Sequence, residues 1–134
     1  MARPEVRTPR LRIGPSQRSG RGVFAERRYA PGELIEMAPV VVVPAGQQPL
    51  IAQTVLTNYY FHWGAGPPED IAIGLGFSSI YNHSFTPNAR YVKHFEALIL
   101  EYTALRTIEP GEEIVVNYNG DPHDRAPVWF EAKG

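Results

Sequence analysis

The chain contains no cysteine, which excludes disulfides and any cysteine-ligated zinc site and leaves no redox trace of its compartment. No apolar run approaches membrane-spanning length. The N-terminus is polar and broken by proline, unlike a signal peptide. The cytoplasm is therefore the expected location. Long helices are also poorly supported. The 13 prolines and 12 glycines among 134 residues favour short strands joined by turns. There is no Gly-x-Ser-x-Gly elbow, so Ser78 or Ser84 with His83 makes a poor hydrolase, and adjacent Ser and His cannot easily face each other.

The length fits one domain with an adequate core. Charge is unevenly spread. Residues 1–28 hold eight arginines against two glutamates, a net +6, which leaves −7 for the rest of a chain whose total is −1. The arginine-rich front end reads as a solvated arm over residues 1–10, and direct nucleic-acid binding is not expected. The acidic remainder suits a basic peptide.

In chain order, Leu11–Ile13 reads as a short strand and Gly14–Gly20 as a turn cluster. In Gly20-Arg-Gly-Val-Phe-Ala25 the glycines permit positive φ or a close backbone approach to a ligand. A third glycine and a following helix are missing, so a nucleotide loop is weakly supported beside a plain hairpin turn. Tyr29–Glu33 is a turn, and Leu34–Met37 and Val40–Val43 read as two strands. The best helix candidate is Ile51–Trp63, although its Thr, Val, Asn and aromatic content is poor for a helix. Its cluster Tyr59, Tyr60, Phe61 and Trp63 fills a core or walls a binding channel. Ile71–Ile73, Arg90–Lys93, Ala97–Tyr102 and Ile114–Tyr118 are further strands, and Ala104–Glu113 holds a strand and a Pro-Gly turn. Val128-Trp-Phe130 is a closing hydrophobic anchor.

The most informative stretch is Gly76–Ala89. Asn82, His83, Ser84 and Asn88 need hydrogen-bond partners, while Phe77, Ile80, Tyr81 and Phe85 draw the segment inward. A buried Asn or His without partners costs one to a few kcal/mol, roughly. A turn, a saturated polar core, or a site that reads a ligand's edges all satisfy that demand. Asp121, His123 and Asp124 could suggest a metal, but no distant ligand set matches them, and the spacing suits a surface turn. Asn82-His-Ser84 also fits a glycosylation sequon, discounted for want of a secretion signal.

Three segments in order resemble the SET domain family of protein-lysine methyltransferases: Gly20–Ala25, Asn82-His-Ser84 with Pro87-Asn-Ala89, and Ile108–Ile114 leading to Asn117-Tyr118. The resemblance spans residues 20–118 and is similar to the minimal members that lack cysteine-rich flanks. It implies a mainly β protein, a β-clip of small curved sheets with a knot-like crossing and one short helical insert. Residues 11–134 would be a single SET domain with a closing segment at 119–134. The implied cofactor is S-adenosyl-L-methionine, converted to S-adenosyl-L-homocysteine, with no metal. Gly20, Arg21, Gly22, Val23, Asn82, His83, Tyr118 and Trp129 would hold it. Tyr118 matches the catalytic tyrosine.

The implied reaction is methyl transfer to a lysine of a basic or histone-like protein. Many members carry an aromatic two residues before the catalytic tyrosine, where this chain has Val116; the smaller side chain points to di- or trimethylation. The tyrosine often found after the first strands is also missing, and Tyr60 or Tyr81 would replace it in the substrate channel. The competing reading is a catalytically silent SET-like module that binds basic peptides. A homodimer is left open.

Overall fold

Among the described residues most strands are short, with glycine, proline or polar residues near their ends. The computed structural model describes residues 9–64, 66 and 68–128. Those residues form nine strands: β1 (Leu11–Pro15), β2 (Arg21–Ala25), β3 (Leu34–Val43), β4 (Tyr60–Trp63), β5 (Asp70–Gly74), β6 (Asn82–His83), β7 (Ala89–His94), β8 (Ile99–Ala104) and β9 (Glu113–Val116). The expected flexible arm falls mostly on residues 1–8, and the Trp129 and Phe130 part of the anchor on 129–134; both lie outside the described residues.

Two sheets result, with strand orders β1-β2-β9-β6 and β4-β5-β3-β8-β7. Every pairing is antiparallel except β6 with β9, where Asn82 faces Val115 and His83 faces Val116. That parallel contact seats the Asn-His-Ser segment against the C-terminal stretch. The repeated Pro-Gly-Glu phrase has a local cause. Gly32 (φ 80°) and Gly111 (φ 87°) occupy the positive-φ corner of two turns, closed by Glu33 N–H to Ala30 O and Glu112 N–H to Glu109 O. Strand β8 alternates strictly, sending Leu100, Tyr102 and Ala104 into the core. Strand β3 breaks the same rule. A register shift between Leu34 and Glu36 buries Ile35 and Glu36 side by side, and Ala38 and Val40 then continue inward.

Several sequence expectations need correcting. Ile51–Trp63 is not a helix. One helical turn, α1 (Gln48–Ile51), and a 3-10 turn at Val55–Asn58 precede strand β4. None of these helical residues is buried, so no apolar face drives a longer helix, and the aromatics at 60–63 pair with β5 instead. Leu34–Met37 and Val40–Val43 are one strand, because Pro39 is tolerated mid-strand and its carbonyl accepts from Leu75 N–H. Between Ala104 and β9 the chain forms no strand, only a bridge between Tyr29 and Ile108. Gly14 and Pro15 belong to β1, and the turn is confined to Ser16–Gly20.

Candidate active site

The polar residues of the central stretch are buried and engaged. Asn88 is 1% exposed. Its amide donates to Glu113 O (2.8 Å) and Glu112 Oε2 (3.0 Å), while its Oδ1 accepts from Val115 N–H (2.8 Å). Ser84 is fully buried, donates its main-chain N–H to Val116 O, and its Oγ accepts from Thr86 N–H. Asn88 and Ser84 therefore lock the crossing of the two segments, and Ser84 has no access to act as a nucleophile.

His83 and Tyr118 meet across that crossing. Tyr118 N–H donates to His83 Nδ1 (3.0 Å), which requires that nitrogen to be unprotonated, and the two rings are tilted with centroids 5.2 Å apart. Burial, assisted by Arg18, holds the His83 pKa below its ordinary value, so the neutral form is favoured. The Tyr118 hydroxyl donates to Tyr81 O (2.6 Å), and Tyr91 donates to Tyr118 O (3.1 Å). Burial raises the Tyr118 pKa well above that of a free phenol, with Tyr91, Tyr59 and Glu113 adding to it; burial lifts Tyr91 to about 12. Tyr118 is therefore a donor near neutral pH, not a phenolate base.

A cleft of about 640 Å³ opens over this hydroxyl, with Tyr59, Tyr60, Tyr81, Tyr91, Lys93 and Tyr118 among its walls. Tyr60 and Tyr81, expected in a channel, are both here. Val116 is 2% exposed, packs in the core beneath, and does not line the cleft. Tyr59, one of the aromatic cluster read as a core or a channel wall, lines the cleft, whereas Tyr91, Lys93 and Glu36 escaped the sequence reading. Alternation from buried Ala89 would have placed Tyr91 inward. A lone acid in the apolar run Leu34-Ile-Glu-Met would have flagged Glu36.

The other expected site residues flank β9, Asn82 on β6 at one edge and the Gly20–Val23 segment at the other. Strand β2 pairs with β9 only at Val23 and Phe24, so the Arg21-Gly22 edge faces Asn82 instead. The Asn82 amide donates to Arg21 O (3.0 Å), Ser19 O (3.1 Å) and Glu113 Oε2 (2.9 Å). An added Cβ at Gly22 would press on the end of the Glu113 side chain and crowd Asn82 Nδ2, so a larger residue here would displace both. Gly20 (φ 46°) ends the loop with open space around its Cα. Val23 is fully buried and offers only its main chain. Trp129 lies outside the described residues. Among those described, no group of three or more His, Asp or Glu could hold a metal; Asp121 and Asp124 accept from His123 and Ala126 N–H as loop caps.

The site thus combines a tyrosine hydroxyl anchored on a main-chain carbonyl, an aromatic cleft and a glycine-bearing edge held by Asn82. The SET domain sequence profile matches residues 20–119, and the chain belongs to the SET domain family. It is 35% identical to the histone-lysine N-methyltransferase, H3 lysine-37 specific, of Schizosaccharomyces pombe, over 96% of this chain and 81% of that protein. It is 28% identical to the histone-lysine N-methyltransferase, H3 lysine-4 specific, of Cryptococcus neoformans, over 91% of this chain but only 9% of that much longer protein. A solved structure of a Plasmodium falciparum protein assigned as a histone methyltransferase superposes with a TM-score of 0.64 at 24% identity, over 84% of this chain and 95% of that one, which shows the shared fold.

Proposed function

We propose that this chain is a protein-lysine N-methyltransferase that uses S-adenosyl-L-methionine and acts on a lysine of a basic or histone-like protein. The observation that carries the reading is the Tyr118 hydroxyl, tied to Tyr81 O at 2.6 Å beneath the aromatic cleft. The residues present suit the cofactor on the chemistry of their donors. The Arg21-Gly22 edge, the Asn82 side chain and the edge-to-face pair of His83 and Phe85 (centroids 4.4 Å, 88°) offer main-chain, amide and aromatic partners to an amino acid and an adenine. Gly20, Arg21, Gly22, Val23, Asn82 and His83 would hold it, and when bound it supplies an activated methyl group.

The remaining work is positioning. The tyrosine walls exclude water from an entering lysine amine, and desolvation lowers the amine's pKa toward the neutral, nucleophilic form. Tyr118 keeps its proton and orients the amine through its hydroxyl. No general base is assigned. The negative balance of residues 29–134 favours a basic partner, and the relatives' names carry histone H3 forward as the first substrate to try. The cytoplasm is the proposed location.

The test is calorimetric titration with S-adenosyl-L-methionine and methyl transfer to histone H3, on wild type and Tyr118→Phe. The expected result is cofactor binding in both, with transfer reduced about a hundredfold or more in the variant. Binding without transfer to histones or to a lysate of basic proteins would favour the silent module. No binding at all would reduce the likeness to one of fold.

A further inference from the structure

Glu36 is an acid where the core needs none. It is 5% exposed, and burial raises its carboxyl above the usual range despite two donors aimed at it. Those donors are the Tyr81 hydroxyl on Oε1 (2.8 Å) and Phe77 N–H on Oε2 (3.0 Å). They stand at the two ends of the turn that delivers Tyr81 to the site. The turn runs close over the carboxylate. At Gly76 (φ 64°) an added Cβ would lie 2.5 Å from Oε2. The Tyr81 ring stacks on Tyr102 (4.4 Å, 24°), whose hydroxyl donates to Ser78 O (3.1 Å) in the same turn. The shift in β3 register is what turns Glu36 inward beneath it.

We infer that Glu36 is a positioning residue for methyl transfer: by gripping both ends of the 77–81 turn it fixes the Tyr81 carbonyl that anchors the Tyr118 hydroxyl. A carboxylate can accept both donors at once. A glutamine of the same size must aim its NH2 at one of them, so the turn loses one hold. Holding the turn matters because small displacements of a reacting geometry cost rate far more than they cost binding. The catalytic consequence rests on the function proposed above, whereas the effect on Tyr118 does not.

The experiment compares wild type with Glu36→Gln, Tyr81→Phe and the double variant, below the unfolding temperature of each. Transfer to histone H3 is resolved into kcat and KM, and mass spectra give the ratio of mono-, di- and trimethyl product. In parallel, tyrosine labelled with 13C at Cζ reports each ring by NMR. Each single change is expected to lower kcat about tenfold, leave the cofactor KM within about twofold and alter the product ratio; the double variant is expected to lose no more than the worse single, because both act through one link. The Tyr118 resonance should move in Glu36→Gln. Multiplying losses in the double variant, an unchanged kcat, or an unmoved Tyr118 resonance overturns the inference. If the wild type transfers nothing, the function fails and the inference fails with it, except for its structural half, which the Tyr118 resonance then decides alone.

Discussion

Replacing Asn88 with alanine should undo much of the fold from one position. Its amide and carbonyl oxygen serve three partners, two of which are main-chain groups: the half-buried Glu113 O and the buried Val115 N–H. Val115 is 4% exposed, so water cannot replace the lost acceptor. Each stranded group costs about 1–3 kcal/mol, so the pair comes to about 4 kcal/mol. The third partner, Glu112 Oε2, adds little, since Arg106 sits 2.9 Å away near the surface and keeps it paired. Domains of this size have about 5–15 kcal/mol in all. With a urea slope of about 2 kcal/mol/M, the midpoint should fall by about 2 M.

A second variant separates hydrogen bonding from volume. Asn88→Asp keeps the shape and the acceptor for Val115 N–H but turns a second oxygen toward Glu113 O and Glu112 Oε2. The introduced carboxyl prefers to be protonated in the folded state, so its folded pKa is raised above the unfolded one. Its cost is then largest at neutral pH and shrinks as pH falls through the folded pKa. Urea titrations at pH 7 and pH 5 read both effects. A midpoint for Asn88→Ala within about 0.5 M of wild type would refute the claim that this side chain locks the crossing.

Gly22→Ala places a methyl group 2.3 Å from Glu113 Oε2 and 3.1 Å from Asn82 Nδ2, so the carboxylate and amide must shift; cofactor affinity by calorimetry should weaken about tenfold while the fold persists. Val116→Tyr crowds a core position that is 2% exposed and lies outside the cleft, so overpacking should cost about 1–3 kcal/mol, read as a lower urea midpoint. His83 has a folded pKa below its ordinary 6.5, so the unfolded chain binds more protons between the two values. Stability should therefore hold above pH 6.5 and decline as pH falls through that window; a His83→Gln variant should flatten that slope in thermal melts.

How far the sequence was legible depended on how local each cause is. Strands β5, β7 and β9 fall on segments that read as strands, whereas Gly20–Ala25, which read as a turn or loop, holds strand β2 because it pairs with β1 and β9; both Pro-Gly turns follow from the one residue that tolerates a φ near +80°. The engaged state of Asn82, His83, Ser84 and Asn88 was foreseeable from polarity between apolar flanks, whereas their partners lie up to 63 residues away and are set by topology. The failed helix at 51–63 shows the limit in the other direction. Its aromatics carry no strand alternation of their own, and only the edge of β5 turns Tyr60–Trp63 into a strand. Glu36 was hidden because the register shift that buries it is a property of two strands at once.

These connections place Tyr118 by the crossing rather than by its own neighbours in sequence. Asn88 holds Val115, Val116 pairs with His83, and His83 receives the Tyr118 N–H, so three buried contacts set the main chain from which the phenol reaches Tyr81 O. From the other side, Glu36 sets that carbonyl through Tyr81. Donor and acceptor of one 2.6 Å hydrogen bond thus flank the paired strands β9 and β6 of one sheet, and the Glu36–Tyr81 bond ties the acceptor's residue to β3 of the other. Loosening the contact between the two sheets shifts that carbonyl before either sheet melts. Since a misplacement of about 1 Å costs on the order of a hundredfold in rate, activity should fall at denaturant concentrations where circular dichroism still reports a native fold. Loss of activity and loss of fold in one coincident transition would mean instead that the two sheets hold this hydrogen bond as a single rigid unit.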